Sequence, residues 1–133
     1  METIRFDELE LNPKILRGIK DMGFEEATPI QAQGIPAVLS GRDVIGQAQT
    51  GTGKTAAFGL PVLERLTPKK GPVQGLILVP TRELALQVTE ELLSFNKYSK
   101  LVITAIYGGA SMSEQLRRLG KGVDIVVGTP GRI

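Results

Sequence analysis

Ala48-Gln49-Thr50-Gly51-Thr52-Gly53-Lys54-Thr55 follows the short apolar run Val44-Ile45 and leads into Ala56-Ala57-Phe58, a workable helix start. Strand, glycine loop, Lys-Thr and helix, in that order, is the layout of a phosphate-binding P-loop. Gly51 and Gly53 can adopt backbone angles closed to other residues, so successive N–H groups can turn toward one anion. A helix opening near Lys54 adds the positive end of its dipole. The Lys54 ammonium can reach the β- and γ-phosphates, and the Thr55 hydroxyl can coordinate Mg²⁺. The strict pattern has Gly where this chain has Ala48, a residue small enough to be tolerated there. The stretch predicts binding of a nucleoside triphosphate.

Around that loop, four runs rich in Val, Ile and Leu read as strands: Asp43–Ala48, Val73–Val79, Leu101–Tyr107 and Val123–Val127. They are nearly continuous in apolar residues, which predicts strands covered on both faces. Helical segments alternate with them. Asn12-Pro13 is an N-cap followed by proline at the first helical position, with Gly23 as the stop. Thr28-Pro29 repeats the start signal and Ser40-Gly41 closes it, while Gly34-Ile35-Pro36 predicts a break or kink there and two short helices. The helix after the P-loop should reach about Leu66, with Pro61 kinking it or ending it early. Thr81 to about Phe95 puts Leu84, Val88 and Leu92 on one face. Ser111 to Glu114 forms a capping box, and Gly120 is the expected terminator. Strands alternating with helices imply right-handed crossovers and a parallel sheet. Lys69-Lys70 and Arg117-Arg118 read as solvated surface charge.

The 133 residues suffice for about one domain with a real core, and 41% hydrophobic with 23% charged residues is an ordinary globular composition. A net charge of +2 permits a nucleic-acid partner without arguing for one. The absence of Cys and His removes disulfides, Cys or His metal sites and histidine catalysis. No apolar run approaches bilayer length and the polar start has no signal-peptide core, which makes the cytoplasm the expected location. The chain stops at Arg132-Ile133, just after the turn signal Gly128-Thr129-Pro130-Gly131, and this predicts a piece of a longer protein.

Three loops follow predicted strands, where ligands of open α/β sheets bind. In Pro80-Thr81-Arg82-Glu83, Thr81 and Glu83 are ordinary helix-start residues, but the cation of Arg82 opposes the dipole and needs an anion, from local pairing or from a phosphate. Tyr107-Gly108-Gly109-Ala110 allows close backbone approach, and Gly128-Thr129-Pro130-Gly131-Arg132 ends in a second cation. Together they predict a groove for a sugar–phosphate backbone, gripped without reading sequence. Upstream, Gln31 admits two readings. Its amide matches the N6 and N7 edge of adenine, with Phe24 stacking on the base; equally, Gln31 and Thr28 serve as helix cap and core.

Taken in order, the strings Gly23-Phe24-Glu25-Glu26-Ala27-Thr28-Pro29-Ile30-Gln31, Ala48 to Thr55, Pro80-Thr81-Arg82-Glu83-Leu84-Ala85, Gly108-Gly109 and Thr129-Pro130-Gly131-Arg132 resemble the DEAD-box ATP-dependent RNA helicases, bacterial or archaeal members most closely. Phe6 fits the isolated upstream aromatic of that family, and Ala at the first P-loop position is usual there. The resemblance implies an α/β RecA-like P-loop NTPase fold, a parallel sheet flanked by helices on both faces. Residues 1–133 would be the N-terminal portion of the first of two such domains, with 1–40 carrying the adenine motif and 41–133 a P-loop core cut before the D-E-A-D string. It implies that Phe24, Thr28 and Gln31 handle adenine. Ala48, Gln49, Thr50, Gly51, Thr52, Gly53, Lys54 and Thr55 would hold the ATP phosphates, with Lys54 and Thr55 catalytic and Thr55 on Mg²⁺. Thr81, Arg82, Glu83, Gly108, Gly109, Thr129, Pro130, Gly131 and Arg132 would hold RNA backbone. Partners would be RNA and a second RecA-like domain, with no membrane. The D-E-A-D string lies outside these residues, so hydrolysis by them alone is expected to be negligible. The rivals are a non-catalytic nucleotide- or RNA-binding module and another P-loop enzyme, such as a DNA helicase or a small-molecule kinase.

Overall fold

Asn12 opens the first helix through its side chain, whose Oδ1 accepts from the Lys14 N–H at 2.8 Å, ahead of Pro13. That helix, α1 (Pro13–Asp21), ends at Gly23, which takes a φ of +84°. A computed structural model describes residues 4–9, 11–46, 54–68, 72–108 and 111–131. The remaining elements are β1 (Ile4–Arg5), β2 (Glu26–Ala27), α2 (Pro29–Leu39), α3 (Lys54–Arg65), β3 (Gly75–Leu78), α4 (Arg82–Phe95), β4 (Ile103–Ile106), α5 (Met112–Gly120) and β5 (Ile125–Gly128). They fall into two compact units. One draws on the chain up to Arg65 together with Ser94–Ser99; the other draws on Leu66–Leu93 and the chain from Lys100 onward.

In the first unit, β1 and β2 pair antiparallel, a contact the sequence reading did not anticipate. Ile15, Ile19, Ile35, Leu60 and Leu63 supply much of its apolar core. Phe24 lies between Phe6 (centroids 6.0 Å apart, 20° between planes) and Phe95 (6.0 Å, 55°), a cluster of three aromatic rings. α2 packs on α3. Gly34 lies at that contact, where an added Cβ would stand 3.9 Å from the Ala57 carbonyl oxygen.

α2 runs unbroken through Pro36, which corrects the expected pair of short helices, while α3 continues past Pro61 to Arg65, close to the expected Leu66, and so does not take the early end. Proline removes one N–H and crowds the carbonyl four residues back, yet packing of a buried face outweighs a local defect. Ile35 is fully buried beside Pro36, and Pro61 is itself buried in the α3 face with Ala57 and Leu60. The strand expected over Asp43–Ala48 is also not formed at 43–46, and positions 47 and 48 lie outside the described residues. A strand exists only where its N–H and C=O groups find a neighbouring strand. None pairs with 43–46 among the described residues, and Ile45 is 100% exposed.

The second unit is built on a parallel sheet in the order β3-β5-β4. β4 and the central β5 are buried along their length, as their apolar runs predict. The edge strand β3 departs from that expectation: Leu76 and Leu78 are 54% and 56% exposed, leaving one of its faces open. In α4, Ala85, Val88 and Leu92 form the buried stripe and Leu84 is half-buried. α5 begins with the expected cap, the Ser111 hydroxyl accepting from the Glu114 N–H at 3.2 Å. The Glu114 carboxylate, however, turns to Arg117 at 2.6 Å and Arg118 at 3.9 Å instead of closing the box. Gly120 stays helical, and Gly122, with φ +95°, makes the reversal.

Candidate functional site

In the first unit Thr28 and Gln31 sit at the start of α2, and Lys54 and Thr55 at the start of α3. Gln31 occupies the third helical position of α2. It is 2% exposed, and its Oε1 accepts from the Thr28 N–H at 2.8 Å. The amide thus performs the cap that one of its two readings required. Thr28 faces the Gln31 N–H in a capping box, but among the described residues its buried hydroxyl oxygen makes no close hydrogen bond. Phe24 is half-buried, with Phe6 and Phe95 on either side.

Lys54 and Thr55 open α3, Lys54 exposed and Thr55 half-buried. Residues 47–53, and with them Ala48, Gln49, Thr50, Gly51, Thr52 and Gly53, lie outside the described residues. Beside Lys54 is a cavity of about 390 Å³ lined by Ile30, Gly34, Val38, Val44, Ala57 and Phe58. Lys54 is the charged residue of its described lining, so the cavity has apolar walls and one ammonium at its margin. That is the composition expected of a small-molecule site.

In the second unit the parallel register brings Leu78, Ile106 and Gly128 to one sheet edge. The ladder runs a step further, with Val79 N–H donating to Gly128 O and Thr129 N–H to Ile106 O, both at 3.0 Å. The three predicted loops therefore leave from the same edge. Thr81 caps α4, its hydroxyl accepting from the Leu84 N–H at 3.2 Å. Thr81, Arg82, Glu83, Gly108, Pro130 and Gly131 are exposed and Thr129 is half-buried; Gly109 and Arg132 lie outside the described residues. Arg82 forms no ion pair with Glu83 or any other carboxylate among the described residues. Its guanidinium instead lies over the Tyr107 ring, 5.1 Å from the centroid.

Two residues here escaped the sequence reading. Tyr107 entered only as the neighbour of paired glycines, although an aromatic at a strand's carboxyl end beside an exposed Arg was a usable signal. Gln115, buried at 4% on α5, donates from Nε2 to the Tyr107 carbonyl at 2.9 Å. A glutamine inside an amphipathic helix carries no such signal. Among the described residues no three acidic groups gather as a metal site, and no helix is long and apolar enough to cross a membrane.

A family model of DEAD/DEAH box helicases matches residues 28–133. The chain is 56% identical over 128 residues to a DEAD-box ATP-dependent RNA helicase CshA of Bacillus cereus, covering 96% of this chain and 24% of that protein. Its Bacillus subtilis counterpart is 52% identical over 131 residues, covering 98% and 26%. The chain thus spans about a quarter of the length of these relatives. A crystal structure of a DEAD box protein from Methanococcus jannaschii superposes with a TM-score of 0.91 at 43% identity, covering 98% of this chain and 36% of that one. A hypothetical ATP-dependent RNA helicase from Sulfolobus tokodaii gives a TM-score of 0.82 at 38% identity, covering 92% and 35%. These likenesses carry the RecA-like α/β fold, and with the family match they settle the kinship: the chain belongs to the DEAD/DEAH box helicases.

Proposed function

We propose that this chain is the N-terminal portion of the first RecA-like domain of an ATP-dependent RNA helicase, supplying its ATP site and part of its RNA-binding surface. The observation that carries the reading is the Lys-Thr pair opening α3 beside an apolar cavity, with the glycine loop immediately before it in the chain. Such a helix start fits a triphosphate: unpaired first-turn N–H groups, a cation and a hydroxyl converge on one anion. Lys54 would hold the β- and γ-phosphates and Thr55 the Mg²⁺, with Gly51 and Gly53 shaping the loop. When bound, ATP supplies the transferable phosphoryl group and Mg²⁺ offsets its charge. The chain's own part is positioning and electrostatic stabilisation.

Gln31 would face adenine from a side chain already fixed by its bond to Thr28, while Phe24, packed against Phe6 and Phe95, would offer the base only the part of its ring left exposed. The three loops at the sheet edge would hold RNA phosphates, independent of sequence. The complete protein would add a second RecA-like domain and the remaining catalytic groups. Unwinding would couple ATP turnover to strand clamping, in the cytoplasm.

Lys54→Ala in the complete protein tests this reading. Removing the phosphate cation should lower kcat for RNA-stimulated ATP hydrolysis at least about a hundredfold; near wild-type turnover would refute it. Gln31→Ala should weaken ATP binding and relax discrimination against GTP and CTP. Unchanged selectivity would leave Gln31 as a helix cap alone. Filter binding of RNA and DNA with a non-hydrolysable ATP analogue decides between the two nucleic acids.

A further inference from the structure

Arg82 is placed against its own electrostatics. It opens α4, where the helix dipole repels a cation, and among the described residues no carboxylate pairs with it. What faces it is the ring of Tyr107, the sole aromatic residue of the sheet unit. The kind of partner matters. A carboxylate would occupy the guanidinium N–H donors, whereas a ring face attracts the cation and leaves those in-plane donors available for another acceptor.

Tyr107 is itself held from behind. It follows β4, the Thr129 N–H binds the carbonyl of the preceding Ile106, and the buried Gln115 donates to the Tyr107 carbonyl. The chain's other tyrosine shows the contrast. Tyr98 lies under both Arg17 (4.3 Å) and Lys97 (5.5 Å), but there Asp21 takes the Tyr98 hydroxyl and the Lys97 ammonium, so a carboxylate already sits beside that ring. At Tyr107 the cation stays open to an incoming anion.

We infer that Tyr107 is a positioning residue for RNA binding: its ring, fixed through the backbone by Gln115, holds the Arg82 guanidinium at the sheet edge with its donors free for a phosphate. The inference rests on the proposal that this edge binds RNA. The arrangement reduces the side-chain freedom that a long exposed arginine would lose on binding.

The test is a double-mutant cycle in the complete protein, with a labelled single-stranded oligouridylate and a non-hydrolysable ATP analogue. Tyr107→Leu should raise the Kd for RNA about two- to fivefold, the range of an exposed cation–π contact, with KM for ATP unchanged. Tyr107→Phe and Tyr107→Trp, which keep a ring face, should bind within about twofold of wild type. In an Arg82→Ala background, Tyr107→Leu should have no further effect. Full additivity of the two changes would overturn the inference, as would a Phe variant as weak as the Leu variant. If Arg82→Ala weakens RNA binding while Tyr107→Leu does nothing, the RNA-binding reading stands and the positioning role falls. If Arg82→Ala binds RNA as wild type does, this edge is not the RNA surface and both fall together.

Discussion

Gly18 shows how one hydrogen can decide a packing contact. It lies inside α1, where alanine is normally preferred by about 1 kcal/mol. A Cβ there, however, would stand 2.5 Å from the Phe95 carbonyl oxygen and 3.2 Å from its carbon. The obstacle is backbone, and the Phe95 ring behind it is buried against Phe24. Overpacking a rigid site costs about 1–3 kcal/mol, which exceeds the propensity gain. Gly18→Ala should therefore lower stability by about 1–2 kcal/mol in chemical denaturation of the complete protein. A stabilised variant would mean that the 94–99 segment yields freely. Gln31 presents the opposite case, a residue whose fold role is compatible with the ligand role proposed for it. Its bond to the Thr28 N–H orients the amide, so a fold role and a ligand role are not exclusive.

At the scale of elements, caps were legible and interruptions were not. Asn12-Pro13, Gly23, Thr81 and Ser111 act as their chemistry predicts, because capping is settled within a few residues of the chain. Pro36 and the run at 43–46 were misjudged because their outcome depends on distant partners: a buried face in the first case, a neighbouring strand in the second. For the candidate site, residue order sufficed to put Lys54 and Thr55 at a helix start and the three loops at one sheet edge, whereas Gln115 became visible only once the fold brought α5 to Tyr107. The unbroken α2 gives a direct prediction. Pro36 is exposed, so replacing it removes little packing, and alanine restores an N–H for the Ala32 carbonyl. Against an interior proline cost of about 3 kcal/mol stands the greater freedom that alanine gives the unfolded chain, about 1 kcal/mol. Pro36→Ala should stabilise the protein by about 1–2 kcal/mol, read as a higher denaturation midpoint. Pro61→Ala should gain less, since Pro61 is buried and its ring leaves a void. Loss of stability in Pro36→Ala would show that the proline is needed for the shape of α2.

On the scale of the molecule, the proposed RNA surface and the fastening of the parallel sheet lie at opposite edges. The carboxyl edge presents the loops assigned to RNA, and the amino edge is fastened by Asp124. That residue is 0% exposed just ahead of β5, and its carboxylate accepts from Gln74 Nε2 and from the Val102 N–H, both at 2.9 Å. Its backbone joins the same neighbours: the Gln74 and Gly75 N–H groups donate to its carbonyl, and its own N–H donates to Val102 O. One buried acid thus links the chain entering all three strands. Removing the carboxylate strands the Val102 N–H, while Gln74 keeps its 2.7 Å bond to the Thr67 carbonyl. An orphaned buried donor costs about 1–3 kcal/mol, so Asp124→Ala should lose about that much stability. Asp124→Asn, which retains an acceptor oxygen, should lose less. Hydrogen exchange should locate the damage in the amides of β3, β4 and β5. Because the loops assigned to RNA leave from the opposite edge, the folded fraction of Asp124→Asn should bind oligouridylate with wild-type affinity, measured well below its unfolding midpoint. A large loss of RNA affinity in that folded fraction would show that fastening and binding are not divided between the two edges.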